Sequence, residues 1–210
     1  MKNMFSYDSP AISALNKAAD LILVNLLFLV TCLPVITIGA AQSALFAVAF
    51  RWAEREDTGV KKYWAAFRSN VRGSLLPWSI MLAAGAALAF NFFITLRNDM
   101  PFRGVFLAVC ILLALSYFLV FSQLFPFFAR FNCTVRQLFG NALLTALAHP
   151  LRTVVIIALD VFPWVMLLCF TETFMTLTPL WLVAYASLRG YLTALLMRAP
   201  YRRYEEQLKD

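Results

Sequence analysis

Two charged side chains interrupt stretches that are otherwise apolar. Asp160 lies in the run Thr153 to Pro163, and Arg189 lies in the run Ala184 to Tyr191. An unpaired charge at the centre of a bilayer costs at least ~2.5–3.5 kcal/mol, so each needs a partner. Asp160 stands eight residues in from Arg152, and Arg189 stands eight residues before Met197 on the following, returning segment. At ~1.5 Å per helical residue both lie ~12 Å from the same face, and they are expected to pair. Such a pair could serve a solute, a proton or a gate. A structural bridge with Arg189 snorkelling towards the interface needs fewer parts, because one pair without further ionisable groups makes a poor relay.

Other polar residues inside apolar runs are Asn25, Asn91, Ser116 and Gln123. Each can be satisfied by an interhelical hydrogen bond, worth under ~2 kcal/mol. The one histidine, His149, precedes Pro150 at a helix boundary, which explains it better than catalysis. Cys32, Cys110, Cys133 and Cys169 are scattered without CxxC spacing, so they read as small hydrophobes. No P-loop, GxGxxG, HExxH or GxSxG occurs, and no polar segment exceeds about 20 residues, too few to bury a soluble core. Catalytic, cofactor-binding and metal-ligating residues are therefore not expected, nor is an enzyme.

The elements that hold these residues follow from composition. Of 210 residues 62% are hydrophobic and 14% charged, and the mean hydropathy is +0.75. A soluble domain carries about 25% charge. A ~30 Å hydrocarbon core needs ~20 apolar residues per helix, and Leu75–Leu96 and Gly104–Phe128 supply that without a charge. The expected fold class is all-α, a single polytopic transmembrane bundle over 1–210. Its spans are placed at 12–33, 40–55, 75–96, 104–128, 152–171 and 177–197. The first apolar stretch, Leu21 to Phe50, is too long for one span and is divided at Pro34 and Gly39. Six spans result; one kinked span followed by an interfacial helix would give five.

Basic residues orient the bundle. Six spans with both termini inside leave only Arg97 and Arg103 on the outer side, as the positive-inside rule demands. That puts the C-terminus in the cytoplasm, and the N-terminus with it in the six-span reading. Five spans with the N-terminus outside also obey the rule, with Lys2 and Lys17 added to the outer side. The net charge of +7 follows from this bias, and no aromatic-interleaved basic groove suggests nucleic acid as a partner.

Two segments on the basic side carry helical periodicity of their own. Val60, Tyr63, Trp64, Phe67 and Val71 share one face of a helix at 60–71. Val135, Leu138, Phe139, Ala142 and Ala146 share one at 134–147, opened by a Thr134/Gln137 capping box. Both are expected to lie along the inner membrane face as cytoplasmic amphipathic helices, with Tyr63, Trp64, Phe67, Leu138 and Phe139 as a docking face. Arg51–Arg72 and Arg130–Arg152 are also similar in length, which suggests duplication of a span–helix–span unit.

The stretch Leu33-Pro34-Val35-Ile36-Thr37-Ile38-Gly39-Ala40-Ala41, preceded by Asn25-Leu26-Leu27, resembles the YesL family of bacterial membrane proteins of unknown function. Phe67-Arg68-Ser69-Asn70 adds to the likeness, with Leu33, Pro34, Thr37, Gly39 and Ala40 as its most specific positions. The resemblance implies the bacterial plasma membrane and a genetic setting beside carbohydrate ABC-transporter permeases and sugar sensors. It carries no catalytic or binding residue. The expectation is an accessory component of sugar uptake or sensing, in contact with the lipid bilayer and with a sugar ABC-transporter permease or a sensor. The alternative is a small transporter or channel acting alone.

Overall fold

The computed structural model describes residues 10–98, 102–131 and 133–207, with side chains from Lys17 onward. Lys2 and Lys209 lie outside the described residues. Apart from short connections, the described chain is helical: α1 (Pro10–Cys32), α2 (Ile38–Ala53), α3 (Val60–Arg97), α4 (Arg103–Arg130), α5 (Val135–Ala148), α6 (Pro150–Cys169), α7 (Thr171–Leu180) and α8 (Ala186–Gln207). A 3-10 turn at Val35–Thr37 joins α1 to α2, and a π-turn at Trp181–Tyr185 joins α7 to α8 without a break in direction. Among the described residues five helical stretches are long and apolar enough to cross a membrane: Val35–Ala53, Val60–Arg97, Arg103–Arg130, Pro150–Cys169 and Thr171–Gln207.

The core gathers around α2. Ala40, Ala41, Ala44, Leu45, Phe46, Val48 and Ala49 are all sealed. Small residues on α2 let α3 and α8 approach closely; Gly190 of α8, for example, lies against Leu45 and Ala49. By contrast, the helix surfaces of α3 beyond Met81 and of α4 before Phe121 remain largely uncovered, with Phe90, Phe93, Phe106 and Leu112 exposed. Lipid is the medium in which such a surface is at no disadvantage.

One expectation needs correction. The segment 60–71 is not a separate interfacial helix but the beginning of α3, a single helix of 38 residues. The change from amphipathic to apolar pattern near residue 73 marks a change of surroundings, not of conformation. Gly73 alone weakens a helix by only ~1 kcal/mol, and here the Phe128 ring packs over its bare Cα. Pro77 lacks an N–H for its own turn yet is accommodated within α3. The second amphipathic segment does form its own helix, α5, and the Gln137 side chain accepts the Thr134 backbone N–H at its start (3.1 Å).

Candidate functional site

Asp160 sits in the middle of α6, and Arg189 sits one turn into α8. Arg189 Nε lies 2.8 Å from Asp160 Oδ1, and their side chains are 14% and 10% exposed. The guanidinium N–H does not point along the N···O line, so the contact is ionic rather than an aligned hydrogen bond. The Arg189 guanidinium also stands 5.3 Å from the centre of the Phe46 ring on α2, a cation–π approach that offsets part of its desolvation. The Tyr185 hydroxyl donates to the backbone carbonyl of Leu159, next to Asp160.

The π-turn beside this pair is held from outside. A π-turn disturbs the i→i−4 ladder, and Pro179 just before it removes a further donor. Asn25 of α1, fully buried, resolves both sides of the disturbance. Its amide donates to Leu182 O (2.5 Å), and its Oδ1 accepts the Ser187 N–H (3.0 Å). Trp181, within the turn, packs its ring against Phe162, Phe174 and Tyr185. The ion pair, the π-turn and Asn25 thus link α1, α2, α6 and α8.

A second polar cluster closes the basic end. Arg130, the last residue of α4, reaches Glu54 Oε1 through Nη1 (2.7 Å) and Glu205 through Nε and Nη2 (2.5 and 3.1 Å). It also stands 5.3 Å over the Phe50 ring. This ties the ends of α2, α4 and α8. Above it, the Tyr201 hydroxyl donates to Gln123 Oε1 (3.2 Å), and Gln123 Nε2 approaches Thr153 Oγ1 (3.4 Å). Around the α2–α3 loop open cavities of about 800, 680 and 420 Å3. Arg55 and Glu56 line two of these and Glu56 all three, with Arg198, Arg202 and Arg203 on one side and Lys62 and Arg51 on another.

The hairpin residues fall at the α1–α2 turn, where Leu33 and Pro34 are exposed and Gly39 and Ala40 are buried. The docking face is a correction. Tyr63 and Leu138 are fully buried, and Phe67 and Phe139 pack against the protein's own core. The apolar stripe of 60–71 faces Val24, Phe28 and Ala44 of the first hairpin rather than a partner, while Leu138, Ala142 and Ala146 of α5 are buried in the bundle. Of the five docking-face residues Trp64 alone stays exposed (38%), stacked on Phe67 with Arg68 over its ring. Sequence reasoning missed the Arg130 cluster, although Arg130 and the lone acidic pair Glu205-Glu206 of the tail were available to be matched.

These features define an all-α multi-pass membrane protein with polar linkages between its helices. Residues 21–92, about a third of the chain, match a family described as "Protein of unknown function, DUF624". The match takes in the first hairpin from Leu21 onward and most of α3, and leaves out Asp160, Arg189 and Arg130. No curated protein and no solved structure matches the chain.

Proposed function

We propose that this chain is a YesL-type accessory component of a carbohydrate uptake or sensing system in the bacterial plasma membrane, without enzymatic activity of its own. Its basic end, cytoplasmic by the positive-inside rule, is the docking surface. The observation that carries this reading is the rim around Glu54–Glu56. There, charged cavities of both signs open on a base that Arg130 clamps through Glu54 and Glu205. A preorganised rim of mixed charge suits a polar, specific protein contact. The resemblance at Leu33–Ala41 supplies the sugar-uptake setting.

Affinity capture from native membranes, with the neighbouring genes intact, tests this. A permease or sensor should co-purify stoichiometrically, and the exposed pair Arg202→Glu/Arg203→Glu should abolish its recovery. Sugar flux by the purified chain alone in liposomes would overturn the reading. That second outcome belongs to the rival, a small transporter, for which the sealed Asp160–Arg189 pair beside a π-turn speaks, since π-turns recur at functional sites.

A further inference from the structure

The α1–α2 hairpin has the composition of two spans, but its position along α3 does not suit a crossing. At ~1.5 Å per residue α3 is ~57 Å long, nearly twice a ~30 Å hydrocarbon core. Every described polar contact between α3, or the loop that leads into it, and the first hairpin falls in the basic half. Thr58 Oγ1 donates to Asp20 (3.3 Å), Tyr63 OH meets Thr31 Oγ1 (2.6 Å), and Trp78 Nε1 donates to Val35 O (2.7 Å). The tip of the hairpin is therefore level with Trp78. From there α3 continues to Arg97 for roughly 28 Å without the hairpin beside it, so the tip lies just inside the apolar part of α3 that begins at Leu75. The arms flank the other part of α3, where Lys61, Lys62 and Arg68 are exposed to solvent.

The chemistry of the tip points the same way. A turn that emerged into water would present polar side chains. Here the exposed residues are Val30 (61%), Leu33 (79%), Val35 (56%) and Ile36 (62%), and no charged residue occurs from Leu21 through Phe50. The backbone of the turn is closed from within. Pro34 has no N–H to satisfy. Thr37 Oγ1 donates to the carbonyls of Thr31 and Pro34 (2.7 and 2.8 Å), Thr37 N donates to Pro34 O (3.0 Å), and the Trp78 indole takes Val35 O. Carbonyls in water need no such attention. In hydrocarbon, an unsatisfied group costs several kcal/mol, and turns persist only when the protein supplies the partners.

We propose that α1 and α2 form a re-entrant hairpin whose partner is the acyl-chain layer of the bilayer. Both arms enter from the basic side and the apolar tip ends inside the lipid. The membrane is crossed by α3, α4, α6 and the continuous α7–α8 helix. The Leu33-Pro34-x-x-Thr37-x-Gly39 pattern is then the chemistry of a turn sealed against lipid: a residue without a donor, a hydroxyl that covers two carbonyls, and a glycine that admits Trp78.

Site-directed reporters decide it. With the native cysteines replaced, Ile36→Cys and, as a second reporter, Leu33→Cys are compared with Asn98→Cys and Glu56→Cys in intact cells and inside-out vesicles. A membrane-impermeant maleimide should label Asn98→Cys and Glu56→Cys from opposite sides and the tip positions from neither. A nitroxide attached to the tip in detergent and reconstituted should collide with oxygen rather than with a water-soluble nickel chelate. Labelling of the tip from the Asn98 side would mean a crossing hairpin, and labelling from the Glu56 side would mean a hairpin lying in water. Either result overturns the proposal.

Discussion

A side chain built on Gly39 would start 2.7 Å from Cβ of Trp78 and 3.1 Å from the Ser74 carbonyl. The backbones of α2 and α3 are thus in contact at the tip of the first hairpin, and the glycine is required by space. Its helical conformation is open to any residue. Because the obstructing atoms are a Cβ and a backbone oxygen, no rotamer change relieves the overlap. Gly39→Ala should force the helices apart, cost ~1–3 kcal/mol as overpacked cores do, and weaken the Trp78–Val35 hydrogen bond. The measurement is the midpoint of thermal unfolding in detergent. A substituted protein as stable as the parent would show that the contact yields freely.

The Asp160–Arg189 pair makes a sharper demand. Removing one partner strands a buried charge, at a typical cost of ~3–5 kcal/mol. Asp160→Asn and Arg189→Gln should each lower the folded yield and the unfolding midpoint. The swap Asp160→Arg/Arg189→Asp should recover part of the loss, because the helices already stand at ion-pair distance. Recovery is incomplete because an aspartate at 189 cannot reproduce the contact with the Phe46 ring. If both single variants match the parent, the pair contributes nothing to the fold, and a role in transport gains ground.

How far the sequence revealed these arrangements depends on the range of the interaction. Asp160 and Arg189 were legible because a charge in lipid has few choices, and equal depth on consecutive segments singled out the partner. The Thr134 helix start and the break at Pro34 were legible because their causes are local. The continuity of α3 was not, because loss of amphipathic pattern at Gly73 resembles a boundary although no strong breaker stands there. The docking face was misread for a related reason. Periodicity shows that Tyr63 and Leu138 share buried faces, but not whether the covering surface belongs to the same chain. The Arg130–Glu205 contact joins residues 75 apart in sequence, at helix ends with no periodic signal to connect them.

Asn25 offers a test of how the π-turn is maintained. Asn25→Leu keeps the approximate volume but leaves Leu182 O and the Ser187 N–H without their side-chain partner. A buried group stranded in this way costs ~1–3 kcal/mol. The protein should lose stability, and amide exchange at Ser187 should accelerate more than exchange elsewhere in α8. Uniform acceleration along α8 would mean that Asn25 supports the bundle in general and not the turn.

Acid should weaken the basic end through His149. This residue separates α5 from α6, and its carbonyl accepts from Thr153 N and Oγ1 (3.0 and 3.1 Å). Its imidazole is held below the usual histidine range, first by burial and then by the positive charges of Arg152 and Arg203. The folded protein therefore binds a proton at this site less readily than the unfolded chain does. The stabilising contribution is complete above the ordinary histidine range near pH 6.5, and it is lost as the pH falls towards the lowered value. The difference in unfolding midpoint between the parent and His149→Gln should favour the parent more at pH 7.5 than at pH 5. The same trend should shrink in Arg203→Gln, which removes one of the two repelling charges. A difference that stays constant across this range would show that His149 keeps an ordinary affinity for protons in the folded state.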